Sequence, residues 1–110
     1  MEGMAKADDP AIETLIEAAR IEFAQSLPGK AAALAAHAER GAWDEIRRAA
    51  HKLRGSAAVY GFSAIGSVAA AVEDLLFQAG AAPDASAISR IRALLASLGD
   101  QAARAGREAQ

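Results

Sequence analysis

Residues 46–79 read IRRAAHKLRGSAAVYGFSAIGSVAAAVEDLLFQA, and the hydrophobic pattern within them decides the fold. On a wheel advancing about 100° per residue, Ile46, Ala49, Ala50, Leu53, Ala57 and Tyr60 gather on one apolar stripe. Beyond Gly61 the spacing restarts: Ile65, Val68, Ala69, Val72, Leu75, Leu76 and Ala79 make the cleanest helical series in the chain. Glycine commonly follows a helix end because it accepts left-handed backbone. Gly61-Phe62 therefore reads as stop and turn, with Ser63 a candidate cap for the next helix. So short a connection makes the two helices antiparallel neighbours.

The same signals recur on either side. Asp9-Pro10 is a helix start, an acceptor followed by proline at the first helical position. Ile12, Leu15, Ile16, Ala19, Phe23 and Leu27 then follow at helical spacing as an inward face. Pro28-Gly29 is expected to break or kink this segment, because proline removes a backbone bond and crowds the preceding turn. Helical signal resumes from Lys30 to Arg40 with Leu34 and Ala38 inward, and one long kinked helix is favoured over two. Gly41 reads as its stop, and the next helix runs from about Ala42 to Val59. Gly80-Ala81-Ala82-Pro83 is a loop, Asp84 or Ser86 a cap, and Ile88, Ile91, Leu95, Leu98 and Ala102 the buried face of the last helix. No alternating β-branched run indicates a strand. The expected fold is all-α, an antiparallel up-down four-helix bundle with an additional N-terminal helical segment. Residues 1–9 are expected to be disordered, 10–104 to form the domain, and 105–110 to fray around Gly106 or begin a linker.

Composition narrows the functional classes. At 110 residues the chain suits one domain. The net charge of −2 disfavours a general nucleic-acid surface. There is no cysteine, hence no disulfide frame or thiolate nucleophile. His37 and His51 stand in no zinc-binding spacing, so no metal site is expected. No apolar run approaches the ~20 residues of a membrane span, and residues 1–9 do not read as a signal peptide. A cytoplasmic protein that does not insert in membranes is expected.

His51 is the residue that such a bundle does not explain. It lies roughly 150° from the centre of its helix's apolar stripe, on the solvent side. Arg47, Arg48, Arg54 and Gly55 are its neighbours one turn away. If the chain reverses near residue 62, His51 falls level with Glu73 on the following helix. A carboxylate accepting from one ring nitrogen fixes the tautomer and leaves the other nitrogen as the nucleophile. Arg54, with Arg47 in the preceding turn, offers fork-shaped donors to an anion at the imidazole. Glycine inside a helix costs about 1 kcal/mol relative to alanine, so Gly55 is expected to provide close access for a partner, aided by small Ala58. Arg48 and Lys52 are further partner-facing candidates, with Phe62 and Phe77 as the apolar part of a docking surface. His37 is read as an ordinary surface residue.

Ala50-His51-Lys52-Leu53-Arg54-Gly55-Ser56-Ala57 resembles the His-x-x-Lys/Arg-Gly-Ser/Ala/Gly-Ala signature of histidine phosphotransfer (HPt) domains. Gly61-Phe62-Ser63-Ala64-Ile65 is similar to its continuation. Glu73-Asp74-Leu75-Leu76, beginning 22 residues after the histidine, resembles the N-terminal phosphotransfer domain of CheA-type chemotaxis kinases. The sequence departs from that pattern in carrying Arg54 where lysine is common, and Ala70 where some CheA domains have a second histidine. The resemblance implies a two-component role in which His51 accepts a phosphoryl group at Nε2 from an ATP-bound kinase domain. It then passes the group to an aspartate of a CheY-like receiver domain. Glu73 would orient the imidazole and Arg54 neutralise phosphoryl charge. ATP would belong to the kinase and Mg²⁺ to the receiver, with no cofactor on this chain. The sequence has no Gly-rich phosphate loop, so autonomous kinase activity is not expected. Two alternatives stand beside this reading. One is a stand-alone or hybrid-kinase relay protein of the same class. The other is a non-catalytic helical adaptor binding an acidic partner through the Arg-rich face.

Overall fold

A computed structural model describes residues 10–80 and 82–110. Four helices follow in order: α1 (Pro10–Glu39), α2 (Trp43–Tyr60), α3 (Ser63–Ala79) and α4 (Ala85–Glu108). No strand occurs among the described residues. Each helix packs on its neighbours in the chain, and α4 closes the ring against α1. The segment expected in addition to the bundle is the first half of α1 itself. The expectation for residues 1–9 lies outside the described residues.

Two of the turns use the same device. Gly41 and Gly61 adopt φ of +67° and +82°. There the chain turns back on the helix it has just left: the Ala42 N–H donates to the His37 carbonyl at 2.9 Å, and the Phe62 N–H to the Ala57 carbonyl at 2.8 Å. These bonds satisfy carbonyls that a helix end leaves without partners. At the helix starts that follow the turns, the two expected caps fare differently. Ser63 is the first residue of α3 and makes no cap, whereas the Asp84 carboxylate accepts from the Ala87 N–H at 2.8 Å, as expected for α4.

The core alternates large and small side chains. Leu27, Leu34, Ile46, Leu53, Val72, Leu76, Ile91 and Leu98 are buried together with Ala38, Ala50, Ala57, Ala69 and Ala102. The alanines let helix backbones approach, which is how so few aromatic residues suffice. At the α2–α3 crossing a Cβ placed on Gly66 would lie 3.4 Å from that of Ala57. No charged or polar side chain is buried among the described residues.

Of three expectations two are corrected and one, the second, is met. The periodic face of α1 is buried only from Phe23 onward, while Leu15 and Ile16 are 68% and 60% exposed. The cause is length. Gln25 Nε2 donates to the Ala109 carbonyl at 3.2 Å, so α4 ends level with the middle of α1 and the earlier turns run past the bundle. Secondly, the single helix favoured over two across Pro28 is the one that forms: α1 continues through it to Glu39. Thirdly, residues 105–110 do not fray from 105. α4 runs to Glu108, and Gly106 is buried against the Pro28 ring, where an added Cβ would come within 2.9 Å of Pro28 Cγ.

Candidate functional site

The α2–α3 hairpin sets the register of the site. Its turn at Gly61-Phe62 brings residues whose numbers sum to about 124 level with one another, and His51 meets Glu73. Their side chains are joined, with His51 Nδ1 2.7 Å from Glu73 Oε2. The other carboxylate oxygen accepts from Arg54 Nη1 at 3.2 Å. Exposure divides the trio by role: the imidazole is 71% exposed, the carboxylate side chain only 16%. Glu73 is thus a fixed acceptor in the wall of the hairpin, and His51 stands in front of it.

Electrostatics selects the tautomer. Burial pushes the Glu73 carboxyl up, but hydrogen bonds from His51 and Arg54, with their charges, outweigh it and hold the group below its ordinary value. An ionised carboxylate only accepts. Nδ1 of His51 therefore carries the hydrogen, and the lone pair of the neutral ring is left on Nε2. The arrangement amounts to an oriented nitrogen nucleophile open to solvent, with a guanidinium alongside it. Among the described residues no group of histidine and carboxylate side chains is placed to hold a metal ion.

The sequence model of the Hpt domain family matches residues 12–101. This chain belongs to the Hpt domain family. Histidine phosphotransfer in two-component signalling is accordingly its role, and the helical bundle is the fold on which Hpt domains carry it. Hpt domains work between kinases and response regulators. Comparison with curated proteins and with solved structures found no match.

Of the other residues singled out from the Hpt sequence, some stand at the site and some do not. Gly55 lies on the exposed face of α2 one turn beyond His51, with nothing within 4 Å of where its Cβ would be. Ala58 is exposed further along, and Phe77, 77% exposed, follows Glu73 by one turn on α3. Arg47 and Arg48 are already engaged. Asp44 accepts from both, at 2.9 and 2.6 Å, and their guanidinium groups hold its carboxyl below its ordinary value. Lys52 turns away from Glu73 to line the groove between α1 and α2. Phe62 is not beside His51: it packs on Phe23 with ring centres 5.7 Å apart, under the Arg20 guanidinium at 4.6 Å. Eleven residues of helix at ~1.5 Å each separate it from the imidazole.

Two features escaped the sequence reading. Val59 is 77% exposed on the face of His51 and Gly55, an apolar residue two turns past the imidazole. Its signal was the spacing of eight from His51. The Asp44 clamp was legible too, since Asp44 precedes Arg47 and Arg48 by three and four residues, the spacing of helix ion pairs.

Proposed function

We propose that His51 is the phosphoacceptor of this Hpt domain, and that the domain serves a chemotaxis-type histidine kinase of the CheA kind. The single observation that carries the assignment is the 2.7 Å contact between His51 Nδ1 and a largely covered Glu73. That contact holds the imidazole with Nε2 outward. The lone pair on Nε2 attacks the γ-phosphorus of ATP held by the kinase domain. An N–P bond forms, the bond from phosphorus to the ADP oxygen breaks, and ADP leaves with its electron pair. The hydrogen stays on Nδ1, where Glu73 stabilises the positive charge that builds on the ring. In the second step an aspartate oxygen of the receiver domain attacks phosphorus, and the N–P electron pair returns to Nε2.

Arg54 uses one donor on Glu73 and has others to offer to the phosphoryl oxygens, which a guanidinium fork suits. Gly55 and Ala58 leave room for the partner's loops, while Val59 and Phe77 supply exposed apolar surface on either side of the imidazole. ATP with the kinase, and Mg²⁺ with the receiver, complete the two steps in trans. No helix among the described residues is long and apolar enough to cross a membrane, in keeping with action in the cytoplasm.

The test is incubation with the ATP-binding domain of a CheA-type kinase and γ-labelled ATP. Label should enter the wild-type chain and be discharged by a receiver domain. His51→Gln should remain unlabelled, and equal labelling of the two would sink the assignment.

A further inference from the structure

The least closely packed neighbours in the ring are α1 and α2, and between them lies a groove of about 520 Å³. That is the size of a small-molecule site, typically about 300–1,000 Å³. Its floor is apolar, made by Leu34 and Leu53. One end is closed by Phe23 stacked on Tyr60 with centroids 4.9 Å apart, the other by His37. The helices run antiparallel, and His37 faces Glu45 across the groove at 3.4 Å. Two turns along each helix from that pair, Lys30 comes level with Lys52, and both line the groove.

The charge pattern there is unlike that of the rest of the α2 surface. Arg47 and Arg48 share Asp44, and His51 and Arg54 share Glu73. Among the described residues Lys30 and Lys52 have no carboxylate partner, and Lys30 makes only a cation–π approach to Phe23, 5.9 Å from the ring centre. Among the described residues no carboxylate stands beside the two lysines, Glu45 being seven residues from Lys52 at the His37 end, in a chain with 14 acidic residues and a net charge of −2. Two ammonium groups lining one apolar trough give it a positive potential that favours an anion there. An apolar tail lying toward Phe23 and Tyr60 would cover the trough over about 10 Å, seven residues of helix rise.

We propose that this groove binds a small amphiphilic anion, with its head group held between Lys30 and Lys52 and its apolar tail on Leu34, Leu53 and the Phe23–Tyr60 pair. The groove lies on the flank of α2 away from Glu73. Occupancy leaves the His51 face open, and the proposal is independent of the phosphoacceptor assignment.

Titration of the isotope-labelled full chain with decanoate below its micelle concentration, followed by NMR, tests it. Saturable shifts are expected at Phe23, Leu34, Leu53 and Tyr60. Decanol, which keeps the tail, and acetate, which keeps the head group, should each bind at least about tenfold more weakly, the scale of one charge-assisted contact. Lys30→Glu with Lys52→Glu should weaken decanoate by a similar factor. Both lysines are exposed, so the fold survives their exchange. Ala33→Trp, which fills the groove from its exposed rim, should block binding outright. Equal affinity for decanol, shifts confined to other surfaces, or indifference to the lysine and Ala33 exchanges would each overturn the proposal.

Discussion

The two histidines of this Hpt domain sit in superficially similar places. Each is on a helix, near arginines, with a glycine four residues later. What faces Nδ1 separates them. For His51 it is a carboxylate from another helix, at 2.7 Å, so Nδ1 bears the hydrogen and Nε2 is free. For His37 the nearest group is Arg40 Nη2, a donor, at 2.6 Å, with Glu45 further off at 3.4 Å. A donor demands the lone pair of Nδ1, and the neutral ring then carries its hydrogen on Nε2. His37 is also only 26% exposed, half-buried where a surface residue was expected. The glycines differ as well: Gly41 stops its helix at positive φ, whereas Gly55 lies mid-helix beside open space. A histidine near cations is common; a histidine with the right nitrogen free is a matter of which partner the fold sets behind it.

The largest effect should come from exchanging the histidines one at a time. His51→Gln is expected to abolish labelling by the kinase domain, and His37→Gln to leave it within about twofold, with both variants folded by circular dichroism. Loss of labelling on removing His37 would end the distinction. Next in size is Glu73→Ala, expected to slow phosphorylation about 10- to 100-fold, by analogy with carboxylates behind metal-binding imidazoles. Nitrogen-15 shifts of His51 should show the Nδ1–H tautomer losing its dominance. Unchanged kinetics would mean that the carboxylate does not orient the ring.

Glycines offer a stability counterpart. Gly106→Ala drives a methyl into the Pro28 ring, whose atoms lie 2.9 and 3.3 Å from the new Cβ and belong to a rigid ring. It should cost about 1–3 kcal/mol. Gly55→Ala meets open space and should stabilise by about 0.5–1 kcal/mol. Urea melts of the two variants should move in opposite directions, and movement in the same direction would refute the contrast. The smallest effect concerns acid. The Glu73 carboxyl is held below its ordinary value near 4.5, so its contribution to stability is fully present above that value and lost as pH falls through the lowered one. Urea midpoints of wild type and Glu73→Ala should therefore converge in acid, whereas a constant gap between them would contradict the ionised pairing.

Much of the bundle was legible because its signals are local. The apolar stripes of α2, α3 and α4 named nearly every buried residue of those helices. Gly41 and Gly61 marked the turns within a residue, since only a left-handed position ends a helix so abruptly. The register of His51 with Glu73 followed from one short turn and a fixed rise per residue. Leu15 and Ile16 show where that logic stops. Periodicity reports which face of α1 is apolar, and says nothing of whether another helix extends far enough to cover it. Phe62 was legible as an aromatic at a turn, but its stacking on Phe23 depends on α1 crossing there.

By itself, then, the sequence determined four amphipathic helices, their turns and an imidazole opposite a carboxylate, all consequences of short-range spacing. Only the tertiary structure decided that Glu73 answers both His51 and Arg54. It alone brought Lys30 and Lys52 to one groove and laid Gly106 on Pro28. The reason is physical. Helix periodicity is a property of neighbours three and four residues apart, whereas the pairing of a charge or the filling of a gap depends on which side chains distant in sequence arrive at the same place.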